Sequence, residues 1–309
     1  MSAEHSPKRV LITGASGFLG RQLMAHYAQD DAIVPIAGSR GGTSPVQGCE
    51  ALAYGDLTDA PDLLDALKDV SCIVHCAGRA HVLHEENNDP LPLFMAANCD
   101  ATLSLARQAA AAGVKRFVFL SSIGVNGNQT FGTPFRSTDA PKPHAPYAVS
   151  KRAAEEGLLA LSAETGLEVV IIRPPLILGP DPVGNLATLA KLIGKGIPLP
   201  FGAATQNRRS LVTGRTVASL IRTCMDHPSA PGQVFLVANT PPLSLRGILT
   251  QLSRETNQSM RLIPVPVGLL RAGLRLLGRG AMDAQLFGDL EIDIAATTTT
   301  LGWTPEPFS

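Results

Sequence analysis

The feature that most constrains this chain lies near its start. The run Val10-Leu11-Ile12-Thr13 passes without interruption into Gly14-Ala15-Ser16-Gly17-Phe18-Leu19-Gly20. The apolar, β-favouring run reads as a buried strand, and the glycines spaced three apart read as a tight turn that opens a helix. Gly14 permits the turn, Gly17 lets a pyrophosphate approach the backbone, and Gly20 lets the helix pack closely on the sheet. With Ser16, Phe18 and Leu19, that helix start offers unpaired N–H groups and a positive dipole end to phosphates.

The rest of the first half repeats the pattern. Apolar runs recur at 10–13, 32–37, 72–77, 116–121 and 168–173, with helical stretches near 18–28, 59–68, 93–112 and 147–165. Short uninterrupted apolar runs suit strands buried on both faces, hence a parallel sheet with helical crossovers. The expected fold class is α/β, a doubly wound Rossmann sheet with a smaller C-terminal α/β substrate lobe. After Arg173 the texture changes: Pro174-Pro175 and Gly179-Pro180-Asp181-Pro182 break regular structure. Helical stretches near 184–195, 214–227, 244–255 and 266–278 then alternate with short strands near 209–213, 233–237 and 261–265. The reading divides the chain into a dinucleotide-binding domain, 1–175, and a substrate lobe, 176–309, interleaved with the main sheet.

Charge and cysteine content narrow the partners. With 26 basic and 26 acidic side chains, no long-range field favours nucleic acid or an anionic membrane, so any anion site is local. The five cysteines are odd in number and not at zinc-ligand spacing, which points to reduced thiols and no metal. The start carries no apolar signal core and no uninterrupted 18-residue apolar run follows, so the expectation is a cytoplasmic protein without membrane insertion.

Cofactor choice is read at the end of the second strand. Ile36-Ala37-Gly38-Ser39-Arg40 lacks the carboxylate that binds an NAD ribose, whereas Ser39 and Arg40 suit a 2′-phosphate, so NADP(H) is favoured over NAD(H). Asp56 and Leu57 sit where an adenine contact is expected. Ala77 and Gly78 would let a cofactor pass close to the backbone.

Tyr147 and Lys151 are four apart, so phenol and ammonium share one helical face. A nearby lysine and a positive nicotinamide ring would favour the phenolate and lower the tyrosine below its usual value of about 10. Tyr147 can then donate a proton to a developing alkoxide, or remove one in reverse. Upstream, the run from Phe117 to Leu120 ends in Ser121-Ser122, and Ser122 would orient the substrate oxygen. His81 and His84 could line the cleft, although the spacing suits surface histidines better.

In these segments the chain resembles the extended short-chain dehydrogenase/reductases of the NAD-dependent epimerase/dehydratase type. The matching pieces are TGASGFLG, GDLTD, HCAG, FVFLSSIGVNG, YAVSK, IIRPPLILGP and the closing LGWTP. The resemblance implies a Ser–Tyr–Lys site at Ser122, Tyr147 and Lys151, with Pro174 beside the cofactor. It also implies Asn98 as a tether of the active-site helix, and Asn185 and Arg209 as contacts to a nucleotide-diphosphate sugar. It further implies a homodimer paired through helices near 98–112 and 147–162. Two departures matter. Asn126 stands where many members have tyrosine, and Ile123-Gly124 lacks the Asp-Glu pair of sugar dehydratases, which argues against dehydration.

The sequence therefore favours NADPH-dependent reduction of a UDP-4-keto-6-deoxy-N-acetylhexosamine at C4. A UDP-hexose 4-epimerase with tightly held NAD is the alternative, and a non-catalytic NADP-sensing protein is an alternative of another class.

Overall fold

The computed structural model describes residues 6–80 and 89–308. Ten strands form two sheets: β1 (Lys8–Thr13), β2 (Ile33–Ser39), β3 (Glu50–Ala53), β4 (Cys72–His75), β5 (Arg116–Leu120), β6 (Glu168–Arg173), β7 (Leu176–Leu178), β8 (Arg209–Thr213), β9 (Val234–Leu236) and β10 (Asn239–Leu243). The main sheet has the order β3-β2-β1-β4-β5-β6-β9, with every neighbouring pair parallel. The chain winds outward from β1 to β3, then returns to β4 on the other side of β1. That reversal opens a crevice at the carboxyl ends of β1 and β4.

Strand periodicity explains why the apolar runs are unbroken. Val10, Ile12, Val118, Leu120, Val170 and Ile172 enter one core, while Leu11, Phe117, Phe119, Val169 and Ile171 enter the other. Successive side chains point to opposite faces, and both faces are covered by helices. Each such side chain contributes roughly 1.5–3 kcal/mol on burial.

A smaller sheet, β10-β8-β7, carries a third core that includes Leu178, Leu211, Leu249 and Phe287. The chain also returns to the main sheet. β9 pairs with β6, and the helix Gly214–Asp226 packs on the helix Phe18–Tyr27. Val217, Leu220, Leu301 and Trp303 all join the first core.

Several elements differ from the sequence reading. The helix expected near 59–68 shrinks to Leu64–Leu67 after Pro61. The helix expected near 93–112 contains a π-turn, Ala96–Asp100. Segment 261–265 makes only a single bridge, Leu199 to Leu262, because Pro264 and Pro266 have no N–H to donate. β10, with the sequence NTPPL, was missed because its two prolines read as a loop. Among the described residues no helix is long and apolar enough to cross a membrane.

Candidate active site

The crevice holds a cavity of about 230 Å³ lined by the β1 turn on one side and the Pro146–Thr165 helix on the other. Ten of the residues singled out above share it: Gly14, Gly17, Phe18, Leu19, Gly20, Gly78, Ser122, Tyr147, Lys151 and Pro174. Cys76, Leu120, Ser121, Pro175, Ile177 and Val183 also line it and were not anticipated. Leu120 and Ile177 belong to apolar strands, which gave no sign of an exposed edge. His81 and His84 lie outside the described residues.

The turn is shaped by what glycine omits. Gly14 has φ +69°, and a Cβ there would lie 2.8 Å from the Ala77 nitrogen. A Cβ on Gly20 would lie 2.1 Å from the Gly14 carbonyl oxygen, so the helix Phe18–Tyr27 can sit this close only with glycine. The Gly14 N–H donates to the Tyr54 hydroxyl at 3.0 Å. The first-turn N–H groups of Phe18, Leu19 and Gly20 have no intrahelical acceptor and belong to residues lining the cavity. This donor set, beside backbone that no Cβ obstructs, fits the pyrophosphate of a dinucleotide.

Around the adenosine end the picture is mixed. Ser39 is buried, and its hydroxyl closes on Thr43, donating to the carbonyl at 3.2 Å and accepting from the N–H at 3.1 Å. The Thr43 backbone thus engages the hydroxyl that the sequence reading offered to a 2′-phosphate. Arg40 is exposed; the Thr58 hydrogen bonds, with a smaller contribution from Arg40, lower the Asp56 carboxyl, whereas burial raises the Tyr54 phenol. Asp56 caps a short 3-10 turn, accepting from the Thr58 N–H at 2.9 Å and the Thr58 hydroxyl at 2.8 Å, and Leu57 follows it. A Cβ on Gly78 would meet Asn98 Oδ1 at 2.9 Å and Lys151 Nζ at 3.4 Å. The space that Gly78 leaves is thus filled by site residues.

The two serines after β5 have different neighbours. The Ser121 hydroxyl donates to Glu155 Oε1 at 2.5 Å, inside a fully buried cluster in which Arg173 grips both Glu155 oxygens at 2.8 and 2.6 Å. Ser122 is extended, and its oxygen accepts from the Gly124 N–H at 3.1 Å, which leaves its hydroxyl proton for a substrate. Arg173 also donates to Asn126 Oδ1 at 2.9 Å, and Asn126 donates to the Arg136 carbonyl at 2.9 Å. Asn126 therefore links β6 to the loop at Arg136.

Lys151 donates to the Leu120 carbonyl at 2.9 Å and lies 4.5 Å from the centre of the Phe119 ring. Burial lowers it to about 8. Tyr147 packs edge-on to Phe94, and burial pushes its phenol up to about 12. This direction is opposite to the one expected from a neighbouring ammonium: desolvation dominates, and the lysine is turned to a backbone carbonyl.

A buried chain of hydrogen bonds joins the two walls. Thr13 meets His75 Nδ1 at 2.7 Å, and His75 Nε2 meets Thr102 at 3.0 Å. Thr102 already donates to the Asn98 carbonyl at 2.8 Å, so it accepts from His75 Nε2–H, and Nδ1 must accept from Thr13. Burial, with Lys151 adding to it, lowers His75 to about 3 and keeps the ring neutral. Asn98, in the π-turn, donates to Ser150 at 3.0 Å, and Ser150 donates to the Tyr147 carbonyl at 2.8 Å. The strand end before Gly14 is thereby tied to the helix that carries Tyr147.

On the lobe side, Arg209 donates to the Ala284 and Gly288 carbonyls at 3.3 and 3.1 Å through a single nitrogen, which leaves the rest of its fork unspent. Asn185 begins the helix Gly184–Gly194. Ser16, Ala77 and Arg209 do not line the cavity described above.

The model of the NAD dependent epimerase/dehydratase family matches residues 10–238. The chain belongs to that family. It is accordingly a nicotinamide-dependent enzyme. Over 97% of this chain and 91% of the relative, it is 39% identical to a Vibrio cholerae protein named UDP-glucose 4-epimerase. Over 97% and 92% it is 27% identical to a Pseudomonas aeruginosa GDP-6-deoxy-D-mannose reductase. The fold matches a UDP-glucuronic acid 4-epimerase from Bacillus cereus, solved with NAD, at a TM-score of 0.75 and 17% identity, covering 96% and 93% of the two chains.

Proposed function

We propose that this enzyme transfers a hydride at C4 of a UDP-linked hexose, in the direction that reduces a 4-keto-6-deoxy-N-acetylhexosamine. The observation that carries the chemistry is the meeting of Ser122, Tyr147 and Lys151 with the glycine turn in one cavity. The nicotinamide, when bound, supplies the hydride. Tyr147, held neutral well beyond physiological pH, donates its proton to the C4 oxygen as charge develops there. Lys151, charged below about pH 8, stabilises the phenolate left behind. The Ser122 hydroxyl donates to the same substrate oxygen and fixes its position. Arg209, with Asn185, would hold the diphosphate.

Two observations favour reduction. Ile123-Gly124 offers no acid or base for dehydration, and β2 ends in Gly38-Ser39, followed by Arg40, without a carboxylate for an NAD ribose. With Ser39 buried, Arg40 alone would grip the 2′-phosphate of NADPH. Relatives named for acting on UDP-glucose and on a GDP-6-deoxy sugar support a nucleotide-sugar substrate.

A second reading, a 4-epimerase with retained NAD, is favoured by the Vibrio cholerae relative. Cofactor extraction from purified protein separates the two. An empty site that takes NADPH more tightly than NADH supports the reductase. Stoichiometric NAD carried through purification, with interconversion of UDP-glucose and UDP-galactose, overturns it. We also propose a homodimer through the helices Ala101–Ala111 and Pro146–Thr165, which a monomer by light scattering at micromolar concentration would contradict.

A further inference from the structure

The balanced total charge hides one lopsided stretch. Between Glu255 and Asp283 stand four arginines, Arg261, Arg271, Arg275 and Arg279, and no acidic residue. Arg271 pairs with Asp283 at 3.0 Å and lies over the Phe287 ring. Arg261, Arg275 and Arg279 are exposed and make no ion pair among the described residues.

The helix Val267–Leu276 in this stretch is apolar on two sides. Val267, Leu270 and Leu274 pack on the third core. Leu269 and Leu276, seven residues apart and so on one face, point the other way and are 65% and 89% exposed. Leu277, next in the chain, is 74% exposed. An amphipathic helix normally turns its large apolar residues to the core, and here Leu269 and Leu276 are left uncovered on the outer face.

We propose that this face docks on an anionic lipid bilayer, lying in its plane. Leu269, Leu276 and Leu277 would enter the boundary between headgroups and acyl chains, and Arg261, Arg275 and Arg279 would meet lipid phosphates. An exposed apolar stripe with arginines beside it and no carboxylates is the pattern of an interfacial helix. At ten residues the helix is far too short to span. Charge argues against a second copy as the occupant: across a two-fold axis the same arginines would face one another. The surface also borders the lobe's own machinery, since Arg271 holds Phe287 at the end of the turn whose carbonyls hold Arg209.

The test is flotation of the full chain with vesicles of phosphatidylcholine and phosphatidylglycerol, against phosphatidylcholine alone, at low and high salt. The wild type should float only with the anionic vesicles, and salt should weaken its binding. The double variant Leu269→Glu/Leu276→Glu should bind at least about tenfold more weakly, with its thermal midpoint and NADPH binding unchanged. Arg275→Gln/Arg279→Gln leaves the apolar face intact and should lose about fivefold per charge removed, so the test survives if the leucine variant misfolds. A wild type that ignores anionic vesicles, or variants that float as well as the wild type, would overturn the proposal. So would a wild-type oligomer that the leucine variant dissolves, which would assign the face to a second copy.

Discussion

The two sides of the cleft are built by opposite means. On the cofactor side the contacts are backbone: glycines that leave room, first-turn N–H groups and strand ends, all fixed to a sheet buried on both faces. On the proposed substrate side they would be side chains, such as Arg209, which stands on a three-stranded sheet with its own smaller core. Backbone recognition depends on short-range geometry, so it leaves a fixed spacing in the sequence. Side-chain recognition depends on which distant elements meet, so it leaves almost none. Between the two stands the Pro146–Thr165 helix, which belongs structurally to the first region and does the chemistry proposed for both.

Removing the phenol should have the largest effect, because it stops chemistry without touching either binding region. Tyr147→Phe is expected to lower kcat by on the order of 100-fold or more, while cofactor affinity stays unchanged by fluorescence titration. Preserved turnover in a folded variant would take Tyr147 out of the mechanism.

The arginines separate the two regions. Arg40→Ala should erase most of the preference for NADPH over NADH, about tenfold to 150-fold for a charge-assisted bond, and leave the substrate KM alone. Arg209→Ala should do the reverse, weakening the nucleotide sugar by a similar factor and sparing both cofactors. If each variant disturbed both ligands equally, the division into two recognition regions would be wrong.

Lys151 supplies the pH signature. Burial lowers its ammonium from 10.5 to about 8, so it loses its proton as pH rises past about 8. For reduction, kcat/KM should hold level through neutrality and then fall by about tenfold per pH unit. Lys151→Arg should move that fall beyond the usual range, since guanidinium stays charged. Folding stability should move the other way. Between pH 8 and 10.5 the unfolded chain binds a proton that the folded chain does not, so this group makes stability rise with pH there. A flat rate profile to pH 10 would remove the lysine's charge from the reaction.

The smallest effects sharpen the contrast by sign. Gly20→Ala drives a methyl into the Gly14 carbonyl and should cost about 1–3 kcal/mol. Gly273→Ala, in an exposed helix with open space around it, should stabilise by about 0.5–1 kcal/mol. Thermal midpoints of the two variants check both.

The legibility of the sequence follows the same division. The parallel sheet was readable because strands buried on both faces leave unbroken apolar runs, as in Val169–Ile172. The glycine turn and the Tyr147–Lys151 pair were readable because each is local. The position of Ser39 at a strand end did not show that the Thr43 backbone engages its hydroxyl. The direction of the Tyr147 shift misled because spacing places Lys151 on the same face but does not say where its ammonium points. Asn126 stood out in the sequence only as a departure from tyrosine, and the folded chain shows it joining Arg173 to the loop at Arg136. The His75 chain was hidden because Thr13, His75 and the Asn98–Thr102 turn come from three separate elements.

The central claim is net reduction of a ketone with the proton drawn from Tyr147. The most direct measurement mixes the wild type, NADPH and a UDP-4-keto-6-deoxy-N-acetylhexosamine, then follows NADPH fluorescence and the sugar product together. The account predicts one NADPH oxidised for each 4-hydroxyl formed, and no such loss with Tyr147→Phe. NADPH left untouched, while the same preparation interconverts UDP-glucose and UDP-galactose on NAD it already holds, would contradict it.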